Sequence, residues 1–315
     1  MAGSGRRSNT RRQPVTSKAV RVARRLPALA AKLALLPVFA GAGWASGLRT
    51  DIEFARPGGV PILMDAFIPE GAGPFPAVIW VHGGGFVAGD KRPHPASLLD
   101  PLAAAGIAWF SINYRLAPQH VFPAQTDDVE SAVAYIASRP GEFRIDPRRL
   151  ALMGASAGGH LVSYAGARHN QHRVRAVVSF FGEHDLVDRT HPKGDCMMDG
   201  KVVADPGPMC LSAGLAKFLG ITAASPEAAR VIRKASPVTY VRRDMPAYLL
   251  IHGTRDFHVP YDQSVSMCEA MKKAGARCEL IGIEGGGHGF GAWDKDPAMS
   301  HYRARLSEWL ARELR

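Results

Sequence analysis

A serine hydroxyl becomes a strong nucleophile only where the backbone projects it outward and a neighbouring base can take its proton. The run Gly154-Ala155-Ser156-Ala157-Gly158 has the form of such a device. It follows the apolar stretch RLALM and opens a helical pattern, so it reads as the G-x-S-x-G turn from strand to helix. Small residues are needed because side chains at positions 154 and 158 would collide with neighbouring backbone as the turn tightens. A close-packed Gly/Ala turn without chemistry is the plainer alternative, and its placement between a strand and a helix argues against it.

Attack of Ser156 on a carbonyl would leave negative charge on oxygen, which needs fixed N–H donors. The loop His82-Gly83-Gly84-Gly85-Phe86 follows the strand PAVIWV, and its glycines allow backbone amides to turn toward the site. Gly83 and Gly84 are the expected donors there, with Ala157 contributing a third. A flexible turn is the plainer alternative, and a phosphate-binding loop is disfavoured by the lack of G-x-x-x-x-G-K-[ST] and G-x-G-x-x-G patterns. Of the 12 histidines, His288 fits the base best: it stands in Glu284-Gly-Gly-Gly-His288-Gly-Phe290, just after the strand CELIGIEG. The acid that would orient it is Asp256, in His252-Gly-Thr-Arg-Asp256 at the end of AYLLIHG; Asp262 and Glu284 are its rivals, Asp262 reading better as a helix cap. The order Ser, Asp, His is that of the triad in hydrolases with this turn. Phe86 and Ala155 are the expected substrate contacts.

The elements that must position these residues form an alternation. PAVIWV, IAWFSINY, LALMG, AVVSFFG, AYLLIHG and CELIGIEG are continuous apolar runs, the mark of strands buried on both faces of a parallel sheet. Helical patterns over residues 125–138, 157–167, 261–274 and 299–313 separate or follow them. The pattern predicts an α/β fold with a mostly parallel central sheet and helices on both faces. Two strands near residues 50–54 and 62–68, joined by the turn RPGGVP, predict an N-terminal hairpin. Residues 190–237, rich in Gly, Pro, Asp and Met, break the rhythm and read as a small lid-like insertion over the carboxyl edge of the sheet, or as a passive surface loop.

VHGGGF, YRLAP (114–118), FPAQTDD (122–128), GASAGGH, IHGTRD and EGGGHGF together resemble the hormone-sensitive-lipase-like esterases. FVAGDK and PYDQS are similar to the bacterial acetyl-esterase and feruloyl-esterase-like branch. The resemblance runs from about residue 73 to the C-terminus and implies an α/β-hydrolase fold, the Ser156, Asp256, His288 triad, an oxyanion hole from Gly83, Gly84 and Ala157, a small-molecule ester substrate, and no cofactor. The sequence departs from the family at Ala155, where many relatives carry an acidic residue, and in the 190–237 segment. Amide or peptide hydrolysis by the same triad, or a non-catalytic binding protein on this scaffold, are the competing readings. Tyr114, Arg115, Asp127 and Asp128 are expected to buttress the loops through buried hydrogen bonds or ion pairs.

The formal charge of +11 would suit a nucleic-acid partner if it were spread over the chain. Ten of those charges lie in residues 1–50, which contain no Asp or Glu, so the body is nearly neutral and no nucleic-acid partner is expected. The basic leader runs into LPALAAKLALLPVFAGAGWASG, the order of an export signal with cleavage near Ala45. Residues 1–47 are thus expected to be an export leader, removed to leave a periplasmic or secreted domain at 48–315. A disordered basic tail or organellar transit peptide is the alternative, and with it a cytoplasmic or organellar location. Lys32 and Pro37 interrupt the apolar run, so no stable membrane anchor is expected. None of the four cysteines has zinc-site spacing, and no metal is expected. In an exported chain Cys196 with Cys210 and Cys268 with Cys278 are the sequence-local disulfides, although four cysteines permit three connectivities. Oligomeric state is not legible.

Overall fold

The computed structural model describes residues 47–168, 174–190 and 211–315, together with the backbone of a two-strand ladder at Met197–Met198 (β7) and Lys201–Val202 (β8). The expected leader, apart from Gly47, and the Cys196 and Cys210 pairing lie outside the described residues.

The remaining strands are β1 (Gly47–Ala55), β2 (Ile62–Ile68), β3 (Phe75–Val81), β4 (Ala108–Ile112), β5 (Ile145–Ala155), β6 (Ala176–Phe180), β9 (Ala247–Gly253) and β10 (Cys278–Ile283). They form one sheet in the order β1-β2-β4-β3-β5-β6-β9-β10. β1 and β2 are the expected hairpin; β2 also runs antiparallel to β4, and every pair from β4 to β10 is parallel. The continuous apolar runs are explained by two cores, one on each face. Along β3, Ala77, Ile79 and Val81 enter one core while Val78 and Trp80 enter the other. Tyr248 and Leu250 alternate in the same way with Leu249 and Ile251 along β9, as the two-residue period of a strand requires.

Helices α1 (Ala96–Ala104), α2 (Ala124–Ala137), α3 (Pro140–Phe143), α4 (Ala157–Ala167), α5 (Leu186–Thr190), α6 (Ala213–Leu219), α7 (Pro226–Ala235), α8 (Asp262–Lys273), α9 (Phe290–Trp293) and α10 (Tyr302–Glu313) complete the chain. α1 and α10 cover the face formed around Val78 and Trp80, and α2, α4, α7 and α8 the other. Every residue of α4 is buried, which explains its lack of a polar stripe. The expected cap Asp262 stands one position later, as the first residue of α8; Tyr261 holds the cap position and closes it with no side-chain hydrogen bond. Cys268 on α8 and Cys278 on β10 are bonded, with Cα atoms 5.4 Å apart. No helix among the described residues is long and apolar enough to cross a membrane.

Candidate active site

β5 ends at Ala155 and α4 begins at Ala157, which leaves Ser156 alone at the turn with φ 54° and ψ −120°. A non-glycine residue in that region is strained and persists only where its surroundings over-determine it. The surroundings are visible in Gly158: a Cβ there would lie 2.1 Å from the Val81 carbonyl oxygen, so any side chain would push α4 off the end of β3. The glycines flanking Ser156 are thus explained by close backbone approach.

The carboxyl ends of β9 and β10 bring the other two groups to this turn. His288 Nδ1 lies 2.6 Å from Asp256 Oδ2, and its Nε2 lies 2.9 Å from Ser156 Oγ. An ionised carboxylate can only accept, so Nδ1 carries the proton and Nε2 is left to accept from the serine hydroxyl. Asp256 Oδ1 accepts the backbone N–H groups of His258 and Val259. Burial alone would raise the Asp256 carboxyl, but hydrogen bonds from His252 and His288 outweigh it and hold the group well below the usual carboxylate range. Asp256 is therefore charged throughout the neutral range. The two rivals, Asp262 and Glu284, are exposed. The His288 loop is fastened by Trp293, whose indole N–H donates to Gly287, and by Arg255, whose backbone N–H donates to Gly286.

Gly83 packs so closely on the serine turn that a Cβ would meet the Ala155 carbonyl oxygen at 2.9 Å. Gly84 has φ +113° and would meet the Ala88 carbonyl at 2.0 Å, so only glycine fits the bend. No described residue accepts a hydrogen bond from the backbone N–H of Gly83, Gly84 or Ala157. Tyr114 supports the loop from behind: its ring stacks on His82 at 4.4 Å and its hydroxyl donates to the His82 carbonyl. Arg115 and Asp128 form the expected ion pair at 2.8 Å, while Asp127, expected to share that role, lies exposed.

Ser156, His288, Gly83, Gly84, Ala157, Phe86 and Ala155 all line one cleft of about 670 Å³. That is ample for a small organic ligand. One wall is apolar, from Trp80, Phe86, Phe181, Leu215 and Phe290. Phe86 stacks on Phe218 at 4.0 Å, so α6 of the 190–237 segment forms part of the wall through Ser212 and Leu215. Sequence reasoning missed other polar groups of the lining. Glu183 and Arg189 pair at 3.1 Å, and Arg189 Nη2 donates to the His258 carbonyl. The His258 ring lies 5.3 Å from His288, and Phe181 meets His288 edge-on at 4.7 Å. His258 follows Asp256 by two residues, a signal available in the sequence; the Glu183–Arg189 pair had none. Among the described residues no cluster of His, Cys, Asp and Glu has the geometry to hold a metal ion.

Residues 64–271 match the model of the BD-FAE family. Esterase LipC of Mycobacterium tuberculosis is 31% identical over 70% of this chain and 54% of its own length. The chain spans about half the length of the first curated relatives it matches. A truncated carbohydrate esterase from gut microbiota has a similar structure, with TM-score 0.67 and 25% identity over 87% of this chain and 98% of that one. The propionate-bound esterase Est2 of Thermogutta terrifontis superposes with TM-score 0.67 at 22% identity, over 84% of this chain and 94% of its own. A serine turn between β5 and α4, an Asp and a His after the last two strands of the parallel sheet, β9 and β10, and a family match over most of the domain agree: the chain belongs to the BD-FAE family and has the α/β-hydrolase fold.

Proposed function

We propose that this chain is a serine carboxylesterase acting on short-chain acyl or aryl esters. The observation that carries the reading is the continuous hydrogen-bonded line Ser156–His288–Asp256 opening into the cleft. Ser156 Oγ attacks the ester carbonyl carbon while His288 Nε2 takes its proton, and Asp256 stabilises the imidazolium that forms. The carbonyl oxygen, now negative, is held by the N–H groups of Gly83, Gly84 and Ala157. The C–O bond to the alcohol breaks as His288 returns the proton to the departing oxygen, leaving an acyl-serine. Water, deprotonated by His288, attacks that acyl group, and the collapse releases the acid and restores Ser156. Similarity to Esterase LipC and to a carbohydrate esterase supports esters over amides as substrates.

Export of the chain is part of the same proposal. It is supported by the basic, acid-free leader and by the Cys268–Cys278 bridge, a bond maintained in oxidising compartments.

The test is turnover of p-nitrophenyl acetate together with labelling by a fluorophosphonate. Ser156→Ala is expected to lower turnover at least ~10⁴-fold and to abolish labelling, on the scale of serine triads. Turnover within tenfold of the parent chain would refute the nucleophile, and faster cleavage of aminoacyl amides than of aryl esters would reverse the substrate class.

A further inference from the structure

Behind the triad acid lies a second histidine that the mechanism above does not use. His252, at the end of β9, is fully buried and is not among the residues lining the cleft. Its Nε2 lies 2.9 Å from the Val259 carbonyl oxygen and 3.3 Å from Asp256 Oδ2, while its Nδ1 lies 2.8 Å from Ser264 Oγ. A carbonyl oxygen and an ionised carboxylate both only accept, so Nε2 must carry the proton; it donates to the Val259 carbonyl and keeps Oδ2 as a close polar contact. Nδ1 is then left to accept the Ser264 hydroxyl proton, which sets the ring's tautomer.

This places one N–H at the centre of the turn formed by residues 256–259. Val259 donates its N–H to Asp256 Oδ1 and accepts from His252 at its carbonyl, and His258 also donates to Oδ1. Outside the turn, Arg189 holds the His258 carbonyl. Oδ2, the oxygen that holds His288, thus has the His252 Nε2–H as a second polar neighbour at 3.3 Å. Without it only the two backbone N–H groups at Oδ1 would restrain the carboxylate, so Oδ2 could tilt and His288 would lose part of the fixed orientation that aims Nε2 at Ser156.

We propose that His252 is a positioning residue for the reaction: its Nε2–H locks the Asp256 carboxylate in the rotamer that orients His288, without touching substrate. The proposal rests on the reading of Asp256 as the triad acid. It explains why a histidine bonded to a serine in the first turn of α8 stands beneath this strand end, where an apolar side chain would leave the Val259 carbonyl unpaired in the core.

The experiment compares His252→Leu, His252→Gln and Ser264→Ala in the whole chain, using p-nitrophenyl acetate kinetics normalised to fluorophosphonate-titrated sites. Glutamine can place an amide N–H near the position of Nε2, and leucine cannot. His252→Leu is expected to lower kcat per titrated site by about 10–100-fold, the range for partners that orient a directly acting histidine, with KM within twofold. The far-downfield proton resonance of the His288 Nδ1–H···Oδ2 bond should broaden or shift with it. His252→Gln should recover most of both. Normal kcat per titrated site in the leucine variant, or a glutamine variant no better than it, overturns the proposal. Should the leucine variant not fold, Ser264→Ala decides: a three- to tenfold loss of kcat at constant KM supports the role, and parental kcat refutes it. Failure of the esterase reading itself would show earlier, as a parent chain that neither turns over nor labels.

Discussion

The rings of Phe86 and Phe218 lie 4.0 Å apart and nearly parallel, at 13°, joining the loop that carries Gly83 and Gly84 to helix α6. Phe86 adopts φ 67°, a conformation that a bulky residue holds only when packing requires it. Its backbone carbonyl accepts from Ala117, and His160 meets its ring edge. The glycine loop is therefore held in shape by a segment more than 120 residues away.

Phe218 is fully buried, and its backbone carbonyl also accepts from Phe122. Phe218→Ala removes an aromatic ring from this stack and is expected to destabilise the fold by about 3–5 kcal/mol, the usual cost of emptying a buried phenylalanine site. Phe218→Leu should keep most of the stability and still lower kcat for aryl esters, because Phe86 and the glycine loop beside it lose their facing ring. Urea unfolding with parallel kinetics measures both; a loss under 1 kcal/mol for the alanine variant would mean that the stack is not a support.

Asp65 sits fully buried at the base of the loop that brings Pro93, His94 and Pro95 to the cleft. It lies 3.5 Å from buried Lys91, 3.1 Å from His94 Nε2 and in bonding contact with Arg92. Burial by itself would raise its carboxyl, but the Arg92, Asp51 N–H, Lys91 and His94 interactions hold it below the usual range. Asp65→Ala leaves Lys91 buried with only half-exposed Asp51 as partner, so a loss of about 3–5 kcal/mol is expected from breaking the buried pair. KM should rise as the 93–95 wall loosens. Chemical denaturation checks the first expectation and substrate saturation the second; an unchanged midpoint would show the network to be neutral.

His160, within α4, and His184 are buried in the core, and burial pushes the His160 imidazole down to about 4 and His184 well below the ordinary value. Below the ordinary imidazole range the unfolded chain takes up protons that the folded chain does not, so stability is complete above pH 6.5 and falls as pH drops from 6.5 toward 4. His160 alone should account for a loss of about 3 kcal/mol over that window at ~1.4 kcal/mol per pKa unit. Melting temperatures at pH 7.5, 6 and 4.5 would show it, and His160→Gln should flatten the slope. An equal slope in both chains would remove His160 as its source.

The serine turn, the glycine loop and the positions of Asp256 and His288 were legible in the chain because tight backbone approaches admit few residue types. A Cβ at Gly158 or Gly84 would stand about 2 Å from a carbonyl oxygen, and that restriction leaves a mark in the sequence. The strands were legible for a related reason: two cores demand apolar side chains on both faces, so each central strand reads as one unbroken run. Boundaries set by competition at helix ends were less so. Asp262 entered α8 as its first residue, and Asp127 turned to solvent while its neighbour Asp128 took the buried pair with Arg115.

By itself, then, the sequence determined the turn chemistry and the order of strands and helices, since both are local rules about backbone and periodicity. Only the tertiary structure decided what surrounds the serine. Glu183 with Arg189, His258 beside His288, His252 beneath Asp256 and Phe218 against Phe86 are meetings across 4 to 132 residues of chain, decided by turns and elements that take shape only once the sheet has formed. No local pattern encodes such contacts, because they follow from which strand ends the sheet places side by side.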